Sequence, residues 1–227
     1  MPKWMYVWNP PRGTALAGFA EEARAAVSRQ ARGLGAAELE LHVTEEPPPR
    51  LAVIPFKRRP LALVSVRGED VELGARAGDR LDDLPGAWAG YRVEEALPVA
   101  RARTWGHGTR APGACLLTIF RRHPRLDRER FLREWHGKHT PMSLDIHPLW
   151  SYVRNTVQEI VLPGSPPWDG LVTESFREPG ELLNPVRLFG GPLRAPWNMA
   201  RVGLHISRFM DLRSMENHLV AEYTLEP

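Results

Sequence analysis

The sequence lacks most of what would assign it a familiar chemistry. One cysteine, Cys115, excludes an internal disulfide, and its place in the apolar run from Ala114 to Phe120 reads as a buried structural thiol. Only three lysines occur, at Lys3, Lys57 and Lys138. Arginine therefore carries almost all the positive charge, against 27 acidic residues and a net charge of +3, which describes a solvated surface and not a nucleic-acid footprint. No apolar run approaches the roughly 18 residues that would cross a bilayer, and the Met1 to Trp4 start has no charged-then-apolar leader pattern. The expectation is a cytoplasmic protein with no membrane or nucleic-acid partner. Glycine-rich phosphate loops, dinucleotide fingerprints, nucleophile elbows and paired metal-ligand spacings are all missing. His136 and His139 stand three residues apart, but no third ligand follows at a recognised spacing, so neither a metal nor another cofactor is expected.

What is present centres on residues 126–141. Asp127 can cap a helix, with Leu126 and Phe131 closing as a hydrophobic staple. Phe131, Leu132, Trp135 and His139 then fall on one helical face, which would turn inward. Gly137 weakens the last turn and Thr140-Pro141 is expected to end it, leaving His139 where helix passes into loop.

Around this segment the chain reads as two similar halves. The first runs strand (3–8), helix capped by Thr14, strand (37–44), strand (61–67), weak helix (73–84) and strand (91–100). On the second of these strands Leu39, Leu41 and Val43 alternate with Glu38, Glu40 and His42, so His42 is assigned to a wet face. Residues 101–113, rich in glycine and charge, read as a link. The second half repeats the order with strands at 115–121, 150–160, 171–176 and 218–224, the focal helix, and a helix at 199–210. The predicted fold class is α+β: two ferredoxin-like units, about 1–105 and 106–227, packed sheet to sheet as a pseudo-dimeric α/β barrel. Further homodimerisation is left open.

The second half resembles the EthD family of dimeric α/β-barrel proteins. Phe131, Trp135, His139 and Pro141 match its F-x3-W-x3-H-x-P signature, Thr118 to Phe131 is similar to its strand, turn and helix start, and Tyr152 to Asn155 to the strand that follows. Trp168-Asp169-Gly170 and Phe209-Met210-Asp211 resemble two further landmarks. The resemblance covers about residues 113–227 and implies a cavity enclosed by ferredoxin-like sheets. The first half lacks the tryptophan and histidine, so it is expected to be a degenerate partner.

The resemblance supplies no single reaction: the family and its fold relatives are associated with ether-degradation gene clusters and with cofactor-free decarboxylation, dehydration, cyclisation or isomerisation of aromatic and polyketide-like substrates. One inward histidine, nearby hydrogen-bond donors and the missing nucleotide, metal and nucleophile motifs lead to the expectation of a cofactor-independent lyase or isomerase acting on a small aromatic or polyketide-like carbonyl compound. His139 would move a proton, Arg154 or Asn155 would hold the developing oxyanion, and Trp135, Tyr152, His136 and Asp169 would contact substrate. Three of these have a plainer reading: His139 as a helix-end histidine, Arg154 as a rim salt bridge, Asp169 as a turn residue before Gly170. A non-catalytic protein that only holds an apolar ligand is the alternative, and haem binding through His139 a third.

Overall fold

Strand β1, Lys3–Asn9, is buried along nearly its whole length, and its two faces explain the architecture. Trp4, Tyr6 and Trp8 pack outward under helices α1 (Phe19–Ala31) and α2 (Leu73–Asp82), while Met5 and Val7 join a separate apolar cluster inside a barrel. A strand covered on both faces is apolar on both, which is why it shows little alternation.

The computed structural model describes residues 1–227. Strands β2 (Glu38–Val43), β3 (Ala62–Arg67) and β4 (Ala87–Val99) complete the first sheet, in the antiparallel order β4-β1-β3-β2. Strands β5 (Ala114–Phe120), β6 (Ser151–Ile160), β7 (Gly170–Phe176) and β8 (Glu216–Leu225) form the second, in the corresponding order β8-β5-β7-β6. This is the ferredoxin-like arrangement twice over. Edge meets edge at β2–β8 and β4–β6, so eight strands close into one barrel with the two sheets facing each other across its interior. Closure removes every exposed edge. No helix is long and apolar enough to cross a membrane.

Residues of the joining segment are tied down. Gly108 and Ala111 donate their backbone N–H groups to the carbonyls of Thr224 and Glu222, and Arg110 pairs with Glu45. Arg101 reaches into the barrel to pair with Glu222.

Three local expectations need correction. Thr14 does not cap α1: Gly18 occupies the cap in left-handed conformation, and the Thr14 hydroxyl closes a turn onto the Pro11 carbonyl. His42 is not on the surface but only 5% exposed inside the barrel, beside Glu222. Alternation reveals two unlike faces; it does not reveal whether the polar one meets water or the inside of a closed barrel. Nor does Thr140-Pro141 end the focal helix. After α3 (Arg128–Glu134) comes a π-helical turn, Trp135–His139, and the chain continues as α4 (Thr140–Ile146) with Pro141 in its first turn. Proline needs no backbone N–H partner there, and the widened turn lets the Thr140 N–H reach the Trp135 carbonyl. Asp127 does cap α3, its carboxylate accepting from the Arg130 N–H at 2.7 Å.

Candidate functional site

The second sheet is covered on its outer face by the α3–α4 segment, by two short helices, α5 (Pro179–Leu183) and α6 (Pro185–Leu188), and by α7 (Ala195–Phe209). Between sheet and helices lies a cavity of about 260 Å³. That is just below the range of about 300–1,000 Å³ usual for small-molecule sites and fits a small ligand. Its walls are mainly apolar, with Val172, Phe176, Val202, Ile206 and Met210 among them. The matching layer of the first half is filled by a core cluster that includes Trp4, Tyr6, Trp8 and Phe19.

The π turn sets the site's floor. It carries Trp135 and His139 inward together, where an unbroken α-helix would end its turn one residue earlier. Trp135 is fully buried, edge-on to Phe120 at 5.0 Å and tilted against Phe131 at 5.4 Å. His139 is 8% exposed, stacked on His205 at 5.4 Å and against Phe209 at 5.0 Å. Burial, with help from His205 and His147, pushes its pKa down to about 3, so the imidazole is neutral at physiological pH. Its Nε2 lies 3.4 Å from the Ser143 hydroxyl, and its Nδ1 has no partner. The Trp135 Nε1 is likewise unpaired.

Of the residues nominated from sequence, the structure brings Trp135, His139 and Tyr152 to this cavity. The predicted alternation along β6 is what separates the others. Arg154 shares the helix-facing side with Tyr152 but donates to the Thr140 hydroxyl at 2.6 Å and does not line the cavity. His136, its pKa lowered to about 4 by burial and by Arg154 and Arg128, faces Thr156 instead. Asn155 points the other way, into the barrel, where its Nδ2 donates to the Leu171 carbonyl. Asp169 accepts from the Arg122 backbone N–H at 2.9 Å and pairs with its guanidinium, a clamp on the turn outside the cavity.

Two groups in the cavity were missed. Glu174, on β7, is the register partner of Tyr152 and stands on the same face as Val172 and Phe176. Burial alone raises its carboxyl from 4.5 to about 7. A glutamate in step with apolar residues on one strand face was the available signal. Burial, and next the neighbouring Glu174, raises the Tyr152 phenol, which therefore stays protonated. His147 also lines the cavity, its Nδ1 2.9 Å from the Leu188 carbonyl. That contact assigns the proton to Nδ1 and leaves Nε2 as an acceptor. Burial lowers this histidine too, opposed by the carbonyl.

No protein-family profile matches the chain, and no curated protein matches it. Solved structures do. An anthrone oxidase-like protein aligns over 99% of this chain and 91% of its own, with a TM-score of 0.56 and 10% identity. A proposed monooxygenase from Fusobacterium nucleatum subsp. nucleatum ATCC 25586 aligns over 99% and 92%, with a TM-score of 0.53 and 7% identity. At such identities the likeness establishes the fold, a dimeric α/β barrel here contained in one chain.

Proposed function

We propose that the cavity beneath the second sheet performs cofactor-independent proton transfer on a small aromatic or polyketide-like carbonyl compound, as a lyase or isomerase, with Glu174 as the proton acceptor. The observation that carries this is a lone carboxyl in an apolar cavity, lifted to about 7. A base poised near the working pH is both substantially ionised and strong enough to take a proton. In the step itself, a C–H next to the carbonyl gives its proton to Glu174 and the electron pair moves onto the carbonyl oxygen. Return of that proton to a different carbon isomerises the compound, and expulsion of a leaving group from the adjacent carbon makes the reaction an elimination.

Tyr152, held protonated, supplies a donor for the developing oxyanion. His139 takes a different part from the one first assigned to it. An imidazole lowered to about 3 is a poor base, but a neutral one can donate a hydrogen bond from its unpaired nitrogen. Trp135 forms the apolar floor. The name of one structural neighbour, an anthrone oxidase-like protein, favours a flat aromatic carbonyl substrate, for which a carbanion is again a natural first intermediate. On this reading the chain is a pseudo-dimer of halves at about 1–105 and 106–227 with one working site, and the EthD-like signature at Phe131, Trp135, His139 and Pro141 marks it.

The test is to identify the compound that co-purifies with the protein and assay it with wild type, Glu174→Gln and His139→Ala. Loss of 10² to 10⁴-fold in turnover with Glu174→Gln is expected. Equal turnover would remove Glu174 as the base, and a retained ligand that wild type never converts would establish a binding protein instead.

A further inference from the structure

The barrel interior is divided along its axis. One end is packed with apolar side chains such as Leu63, Tyr91, Leu117 and Leu171. The other is a polar cavity of about 190 Å³ that shares no lining residue with the Glu174 cavity, since the second sheet lies between them. Exposed Leu97 and Arg103 stand in its wall, where it meets solvent.

Its lining is rich in donors that nothing satisfies. Arg67 Nε, Arg101 Nη1, Trp105 Nε1, Ser65 Oγ and His42 Nδ1 are all buried without a partner, and so is one acceptor, Asn155 Oδ1. The Asn155 orientation is fixed because its Nδ2 donates to the Leu171 carbonyl. Buried polar atoms in a native fold are nearly always paired, with protein or with water, so several atoms without a protein partner around one cavity leave it ready to exchange water for a ligand that fits them. Charge points the same way. Lys3, His42, Arg67, Arg101 and Arg103 line the space against only Glu40 and Glu222. Glu95 pairs with both Lys3 and Arg67, Glu38 and Glu40 also pair with Arg67 and leave only its Nε free, and Glu222 serves both Arg101 and His42.

Arg101 is built for the task. Its guanidinium carbon sits 4.7 Å from the Trp105 ring and 4.6 Å from the Trp150 ring, and its side chain is 8% exposed. One edge is held by Glu222, and Nη1 remains free. A planar, pre-positioned guanidinium with spare N–H groups matches a carboxylate. The lone orphan acceptor at Asn155 asks the same ligand for a donor of its own.

We propose that this end of the barrel is a second ligand site, which takes a small organic carboxylate bearing a hydroxyl group. Arg101 Nη1 holds the carboxylate, Arg67 Nε, Ser65 and Trp105 add donors, and Asn155 Oδ1 accepts from the ligand hydroxyl. The site is independent of the Glu174 cavity and of the reaction proposed there. Divalent-metal binding is the competing use, because ligand atoms of His42, Cys115 and Glu222 lie within 4.8 Å of one another. Arg101 on Glu222 opposes it.

The experiment is calorimetric titration of the full chain with lactate, propionate, inorganic phosphate and zinc chloride, each read also as a shift in melting temperature. Lactate is expected to bind and to stabilise, with propionate about tenfold weaker because Asn155 stays unpaired. Arg101→Gln should weaken lactate about tenfold or more. Ser65→Ala, which removes a hydroxyl with no partner in the protein, should keep the fold and still weaken binding severalfold. No carboxylate binding at millimolar concentration would overturn the proposal, as would lactate binding unaffected by Ser65→Ala in a folded protein. Equal affinity for lactate and propionate would overturn the role of the hydroxyl. Binding of phosphate alone, or of zinc alone with loss in Cys115→Ala, would replace the carboxylate with that partner.

Discussion

Replacing Glu174 by glutamine keeps the shape of the side chain and removes its charge, so its effect on stability should change with pH in a defined way. In the folded protein burial raises this carboxyl from 4.5 to about 7. A raised folded pKa means that stability is fully present below the unfolded value and is lost as pH rises through the folded one. The loss therefore runs between about 4.5 and 7 and then levels off. At about 1.36 kcal/mol per pH unit, the full difference comes to roughly 3 kcal/mol. This is an upper bound, because Glu174 faces a cavity where water can solvate the carboxylate. Urea denaturation of both proteins across this range isolates the effect as a difference, since other titrating groups cancel. Glu174→Gln should match wild type near pH 4.5 and exceed it above pH 7 by up to about 3 kcal/mol. Parallel stability curves would refute the claim that Glu174 is buried without compensation, and with it the account of the cavity.

Other perturbations follow the same logic. Gly170→Ala would put a Cβ 2.6 Å from Phe120 Cζ and 2.7 Å from Trp135 Cη2, so it should cost about 1–3 kcal/mol in urea denaturation and displace the floor of the cavity. Trp135→Ala should cost about 3–5 kcal/mol by the same measurement, since the side chain is fully buried among Phe120, Phe131 and Phe209. His139, its folded pKa depressed to about 3, contributes stability above the ordinary histidine value of 6.5 that is lost as pH falls toward 3. His139→Gln should accordingly unfold less steeply than wild type over that acid range. Asp127→Ala removes the cap on the Arg130 N–H and should cost about 1 kcal/mol.

Local pattern carried most of the fold. Strand alternation at Leu39, Leu41 and Val43, the cap at Asp127 and the helical spacing of Phe131, Trp135 and His139 are short-range signals, and they lead to the eight strands and the ferredoxin-like class of both halves. Barrel closure is not local. It decides that His42 and Asn155 look into an enclosed interior, and no spacing within one strand announces it. The π turn was hidden for a related reason. Thr140-Pro141 reads as a stop unless the helix can widen to absorb a missing N–H, and that depends on the packing of Trp135. Glu174 is legible in principle, as a charged residue in phase with Val172 and Phe176, but a single glutamate on a strand has no spacing that marks it apart from a solvated one.

The central claim is that Glu174 takes a proton from carbon, and deuterium incorporation observes that step without knowledge of the product. The protein would be incubated in deuterated buffer with 2-tetralone, a small aromatic ketone with acidic C–H bonds, and exchange followed by proton NMR. Wild type should accelerate exchange next to the carbonyl, and Glu174→Gln should slow it by at least about 10²-fold. Acceleration that survives in Glu174→Gln would contradict the account.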